Sequence, residues 1–177
     1  MKFIPTDFPE VWIIEYLPVF DERGFFARVY CQEEFKKHGI ELNVVQTSYA
    51  FNKKKATLRG LHFQVPPFSE KKLVCCVQGC IYDVVVDMRA KSPTRWKWFA
   101  TLLSEDNRRL LYIPEGFAHG YETLKNNTVV LYQISEYYRP EAAGGLRWDD
   151  PVLNIPWPLQ PEVISQRDRS HKLINGG

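Results

Sequence analysis

Short runs rich in apolar, β-branched and aromatic residues recur along this chain, each closed within a few residues by Gly, Pro, Asn or Asp. The first spans Val11 to Tyr16, then Phe25 to Tyr30, Val44 to Phe51 and Thr57 to Gln64. Lys72 to Asp87 reads as strand, Gly79 turn, strand, and Trp96 to Leu103, Arg109 to Ile113, Ala118 to Thr123 and Thr128 to Ile134 follow. Strands this short and this closely spaced leave no room for crossover helices, so the pattern predicts an all-β sandwich, jelly roll or barrel. Gln32 to Lys37 is the best short helix, with Gly39 as its stop. Asp21-Glu22-Arg23-Gly24 reads as a turn and Asn52-Lys53-Lys54-Lys55 as a solvated one. After Pro140 the chain becomes rich in Trp, Pro and Asp, which reads as an ordered wrap over the mouth of the barrel.

With 177 residues the chain fits a single domain, 1–177, whose core closes without staples. A net charge of +2 is too small to argue for nucleic acid or an anionic membrane surface. No apolar stretch approaches membrane-spanning length, and Pro5, Asp7, Pro9, Glu10 and Glu15 interrupt any signal-peptide pattern at the start. Cys31, Cys75, Cys76 and Cys80 lack CxxC spacing, and adjacent strand residues point to opposite faces. They read as small hydrophobes in a reducing, cytoplasmic setting.

Chemistry concentrates around Thr57 to Gln64, where Arg59 and His62 flank Gly60 and Pro66-Pro67 ends the strand. A guanidinium fork suits phosphate or carboxylate, and an imidazole suits proton transfer near neutral pH. Strict alternation would point the two side chains to opposite faces; a bulge at Gly60 would turn both into one cavity. The competing reading is an edge strand with a solvated arginine and a merely hydrogen-bonded histidine. His38 and His171 read as solvent-facing, one at a helix end and one in the tail, which leaves His119 as the other candidate. The H-x-H pair of metal-binding barrels is absent, because Gly60 and Gln64 flank His62 at that spacing. Lys72 alternates with Val74 and Cys76, so its ammonium can enter the same cavity and stabilise an oxyanion. Tyr132 is mid-strand with a hydroxyl that needs a partner. Asp83 and Asp168 are both candidates to orient a histidine.

Leu58-Arg59-Gly60-Leu61-His62-Phe63-Gln64-x-Pro-Pro with Lys72-Leu73-Val74 resembles the dTDP-4-dehydrorhamnose 3,5-epimerases. Asp83-Val84-x-Val86-Asp87-x-Arg89 with Ser92-Pro93-Thr94, Ile113-Pro114-Glu115-Gly116-Phe117-Ala118-His119-Gly120 and Tyr137-Tyr138-x-Pro140 extend the resemblance. So do Arg147-Trp148-Asp149-Asp150-Pro151, Ile155-x-Trp157-Pro158 and Ile164-Ser165-x-x-Asp168, and it covers about Asp21 to Asp168. The resemblance implies an all-β, cupin-type jelly roll with a few short peripheral helices, metal-free, in a homodimer that exchanges N-terminal strands. It implies epimerisation at C3 and C5 of a dTDP-linked 4-keto-6-deoxy sugar, with no cofactor because the C4 ketone acidifies the neighbouring protons. By position it makes His62 the base, Asp168 its orienting partner, Lys72 the enolate stabiliser and Tyr132 the opposite-face proton donor. Arg59 and His119 become phosphate or sugar contacts, Tyr138 and Gln46 substrate contacts, and Arg23 and Phe26 nucleotide contacts from a neighbouring subunit. Two stretches depart from the family: Thr47-Ser48 where Asp-Asn is common, and Ala143 where Glu is frequent. These leave room for an epimerase of one carbon only, for another nucleotide such as CDP, or for a non-catalytic sugar-nucleotide-binding cupin.

Overall fold

In the computed structural model, which describes residues 1–8 and 10–174, all strands but a separate β3–β4 pair form two facing sheets. In chain order the elements are β1 (Lys2–Pro5), β2 (Trp12–Glu15), β3 (Val19–Asp21), β4 (Gly24–Phe26), α1 (Gln32–Lys37), β5 (Gln46–Asn52), β6 (Thr57–Gln64), β7 (Lys72–Gln78) and β8 (Cys80–Asp87). They continue with β9 (Trp98–Ser104), β10 (Arg109–Ile113), β11 (Phe117–Thr123), β12 (Thr128–Ile134), β13 (Ala143–Gly145), β14 (Val163–Ile164) and α2 (Gln166–Arg169). The first sheet runs β1-β2-β10-β7-β12-β5 and the second β13-β6-β11-β8-β9, with β14 parallel to β6. From β5 to β8, and again from β9 to β12, each strand crosses to the opposite sheet. This is the double-wound path of a cupin-type jelly roll, as expected.

Period-two alternation explains the layers. Along β7, Val74 and Cys76 enter the core between the sheets, with Leu111, Val130, Ile81, Val85 and Tyr121. Leu73 and Cys75 face the other way and pack under α1 against Phe35. The adjacent cysteines therefore lie on opposite faces, and burial pushes the Cys75 thiol up to about 11 and Cys76 up to about 12. The outer face of the second sheet, with Val84, Val86 and Ala118, is covered by Leu146, Leu153 and Ile155. The stretch after Pro140 thus mostly covers a sheet face, and only its start, through Ala143 and Gly144, and its end, through α2, come to the mouth where the whole wrap was expected.

Sequence boundaries hold for β6, β10 and β12 to the residue. The strand expected over Phe25 to Tyr30 shortens to β4, because the β3–β4 hairpin pairs only with itself and nothing continues its ladder. β13 and β14 are strands of three and two residues that exist by pairing with β6 from far along the chain.

The Asp87-x-Arg89 and Ser92-Pro93-Thr94 motifs form a staple at the end of β8. The Asp87 carboxylate, fully buried, accepts from Arg89 Nε and Nη2, Ser92 Oγ and Thr94 Oγ1. Burial opposes its ionisation, but these donors outweigh it and hold the carboxyl at about 2. Its folded value lies below its unfolded one, so its stabilisation is complete above about pH 4 and is lost as pH falls toward 2. Asp87→Asn is expected to lower stability at neutral pH by about 1–3 kcal/mol. Urea melts of both proteins should show that gap narrowing as the pH is taken from 5 to 2.

Candidate active site

A one-residue excess in β6 builds the site. His62 pairs with His119 and Arg59 with Tyr121, so β6 spends three steps where β11 spends two. The extra residue puts Arg59 and His62 on one face, beside Tyr121 and His119. Gly60 occupies the bulge with φ +135°, a region that disfavours any residue with a Cβ. Its backbone runs so close to β11 that a Cβ would lie 2.5 Å from Gly120 Cα, and a Cβ on Gly120 would lie 2.7 Å from the Arg59 carbonyl oxygen.

The inner face of the jelly roll turns polar around this bulge. A cavity of about 300 Å³ is lined by Arg59, His62, Glu70, Lys72, His119 and Tyr132, with Ser48, Tyr138, Ala143 and Arg167 toward its rim. His62 and His119 come from the second sheet, Lys72 and Tyr132 from the first, so the groups face each other across the opening.

Each candidate aspartate orients one histidine. Asp168 Oδ1 lies 2.7 Å from His62 Nε2 and Asp83 Oδ1 lies 2.8 Å from His119 Nε2. Asp168 is fixed by Ser165, whose side chain caps α2 by accepting the Asp168 N–H, and its Oδ2 accepts the Gly60 N–H. Burial alone would raise the Asp168 carboxyl, but the hydrogen bond and charge of His62, with the Gly60 N–H, hold it below the usual range. An ionised Asp168 accepts from His62 Nε2–H and leaves Nδ1 with its lone pair.

Lys72 is buried and its Nζ lies 2.8 Å from Glu70 Oε1 and donates to the His62 carbonyl at 3.4 Å. Tyr132 lies edge-on to His119, with ring centroids 5.9 Å apart. Its pKa is held well above the ordinary value, first by burial and then by the neighbouring Tyr121 and Asp83, so it keeps its proton at neutral pH. Arg59 Nε donates to Asn52 Oδ1 at 2.8 Å, an oxygen that also accepts from Tyr121. Tyr138 is at the rim, its N–H donating to Gln46 Oε1 at 2.6 Å.

Arg23 and Phe26 do not reach this cavity within one chain. Both are on the β3–β4 hairpin, where Arg23 pairs with Asp21 and Phe26 is 75% exposed. His38 is exposed as expected, stacked on Phe3. His171 is a correction: its side chain is 14% exposed instead of facing solvent, because α2 folds the tail back against Gly145. Glu70 and Arg167 escaped the sequence reading, and Asn52, expected to open a solvated turn, is instead the buried last residue of β5, held there by Arg59 from the next strand.

A family profile described as dTDP-4-dehydrorhamnose 3,5-epimerase matches residues 5–175. The chain belongs to the dTDP-4-dehydrorhamnose 3,5-epimerase family. It is 41% identical to the dTDP-4-dehydrorhamnose 3,5-epimerase of Salmonella typhimurium over 99% of this chain and 96% of that one. The Bacillus anthracis enzyme of the same name, solved with TDP and PPi bound, superposes with a TM-score of 0.95 at 40% identity, covering 98% of this chain and 99% of that one. A Legionella pneumophila 3,5-epimerase in complex with dTDP-4-keto-L-rhamnose gives a TM-score of 0.92 at 37% identity, over 97% and 92% of the two chains.

Because a Cβ at position 60 meets backbone and not a yielding side chain, Gly60→Ala is expected to destabilise the fold by about 2 kcal/mol or more. Thermal melting checks this; an unchanged midpoint would mean that the Gly60–Gly120 approach is not a constraint.

Proposed function

We propose that this chain epimerises a dTDP-linked 4-keto-6-deoxy sugar at C3 and C5, converting dTDP-4-dehydro-6-deoxyglucose to dTDP-4-dehydrorhamnose. The observation that carries the reading is the ionised Asp168 bonded to His62 in one cavity with a protonated Tyr132 on the opposite sheet. His62 Nδ1 takes the proton from the carbon next to the ketone, and the C–H electron pair moves onto the C4 oxygen as an enolate. The Lys72 ammonium stabilises that oxygen. Tyr132 then delivers a proton to the other face of the same carbon, which inverts it, and solvent restores both groups before the second carbon reacts. Inversion needs removal and delivery on different sides of the ring, and two facing sheets supply that geometry. Arg59 and Arg167, at the open end, suit the diphosphate. No cofactor enters this scheme.

The test is incubation with the dTDP-4-keto-6-deoxyglucose substrate in deuterated water without added metal, with label located by NMR and mass spectrometry. Deuterium at both C3 and C5 is expected, and His62→Ala should slow its appearance by about 10²–10⁴-fold. Label at one carbon would favour a single-site epimerase, a reading that Ser48 and Ala143 in the cavity wall keep in play. Exchange only with CDP- or GDP-linked sugars would move the nucleotide assignment, and no exchange with any would leave a binding protein.

The β3–β4 hairpin supports a homodimer with exchanged N-terminal strands. Val19, Phe20, Phe25 and Phe26 are between 53% and 75% exposed on it, a patch that a second copy would bury. In that dimer Arg23 and Phe26 reach the partner's nucleotide. Inactive His62→Ala protein mixed and refolded with inactive Arg23→Glu/Phe26→Ala protein should recover activity, because one of the hybrid's two sites is then intact. No recovery would remove the exchange. The buried, unreactive thiols suit a cytoplasmic setting, and no described helix is long and apolar enough to cross a membrane.

A further inference from the structure

His171 has no part in the proton transfers above, yet it stands beside them. Its Nε2 is buried and makes no hydrogen bond among the described residues. It lies 3.9 Å from Asp168 Oδ1, the oxygen that His62 Nε2 approaches at 2.7 Å. The three donor atoms all lie within 4.8 Å of one another. A tetrahedral zinc ion holds nitrogen and oxygen donors at about 2.0–2.2 Å, which sets neighbouring donors roughly 3.3 Å apart. The separations of 2.7 and 3.9 Å from Asp168 Oδ1 straddle that value and no donor pair exceeds 4.8 Å, so turning the two imidazoles toward each other is the adjustment that a shared ion requires. The His62 side chain is 41% exposed, which leaves the ion's remaining position open to solvent. Two imidazoles and one carboxylate suit zinc, cobalt, nickel or copper better than magnesium or calcium, which prefer all-oxygen sites.

We propose that His62, Asp168 and His171 bind a transition-metal ion such as Zn²⁺, and that the ion switches the epimerase off. The metal bonds to His62 Nε2, so the proton formerly there moves to Nδ1. A neutral imidazole with its metal on Nε2 and its hydrogen on Nδ1 has no lone pair for substrate. Asp168 is drawn onto the ion as well and no longer orients the ring. The inhibitory half rests on His62 being the base; the binding half does not.

Chelator-treated, full-length protein titrated with Zn²⁺ by calorimetry should take up one ion per chain, and Co²⁺ in its place should give the visible absorption of a low-symmetry site. His171→Gln keeps the side chain's bulk and should weaken binding by about tenfold or more while leaving metal-free deuterium exchange unchanged. His62→Ala should weaken Zn²⁺ binding as well, an independent check if His171→Gln folds poorly. Zn²⁺ should abolish exchange by the wild-type protein, a chelator should restore it, and His171→Gln should need about ten times more metal. Stoichiometric binding unaffected by either substitution, or no binding, would overturn the site. Binding as described without loss of exchange would overturn the switch. Absence of exchange in metal-free wild-type protein would instead count against His62 as the base, while the calorimetry still decides the site.

Discussion

The close approach of Gly60 to Gly120 is the constraint on which the site depends. Neither position tolerates a Cβ, and the approach lets β6 carry one residue more than β11 between two pairing points. Without the bulge, a regular strand with that three-residue spacing would send Arg59 and His62 to opposite faces. One would enter the packed layer under Leu146 and Leu153, and the cavity would keep either its anion-binding group or its base. The bulge converts an odd spacing into a shared face, and the Gly60 N–H that it frees from the ladder goes to Asp168.

Around that bulge the interior changes character without changing its architecture. The same inward positions that hold Val74, Cys76 and Val130 in the apolar core hold Lys72 and Tyr132 one or two steps further along. Buried polar groups of this kind are tolerated because nearly all are paired: Lys72 with Glu70, His62 with Asp168, His119 with Asp83. The pairs also divide the labour. An ionised Asp168 frees His62 Nδ1 to accept a proton, and Tyr132, its pKa raised further by burial, holds one. Three buried side-chain atoms among the described residues make no hydrogen bond, Asp83 Oδ2, Glu122 Oε1 and His171 Nε2, and the last of these is the one that stands beside the working dyad.

Much of this was legible in the chain itself. For β6, β10 and β12, closed by Gly, Pro or Asn, the strand and its limits could be read directly, because both signals are local. The rest is non-local. β13 and β14 are too short to show a period and exist through pairing with β6. Asn52 looks like a turn residue until Arg59 of the next strand is set beside it, whereas Glu70 pairs with Lys72 only two residues on, in a stretch with no distinguishing local pattern. Asp168 did carry a local mark: Ser165-x-x-Asp168 is a capping pattern, and the four-residue α2 that it starts also turns His171 inward. Distance along the chain could not choose between Asp83 and Asp168 as the partner of His62; the register of β6 does.

The central claim is that one ligand spans the bulge, with its diphosphate on Arg59 and its sugar against His62. A crystal structure of this protein with a dTDP-linked deoxysugar tests it most directly. The account predicts diphosphate oxygens on the Arg59 fork and C3 or C5 of the sugar facing His62 Nδ1, with Tyr132 on the other side of the ring. A sugar bound with His62 turned away from it, or with Arg59 and His62 touching different molecules, would contradict it.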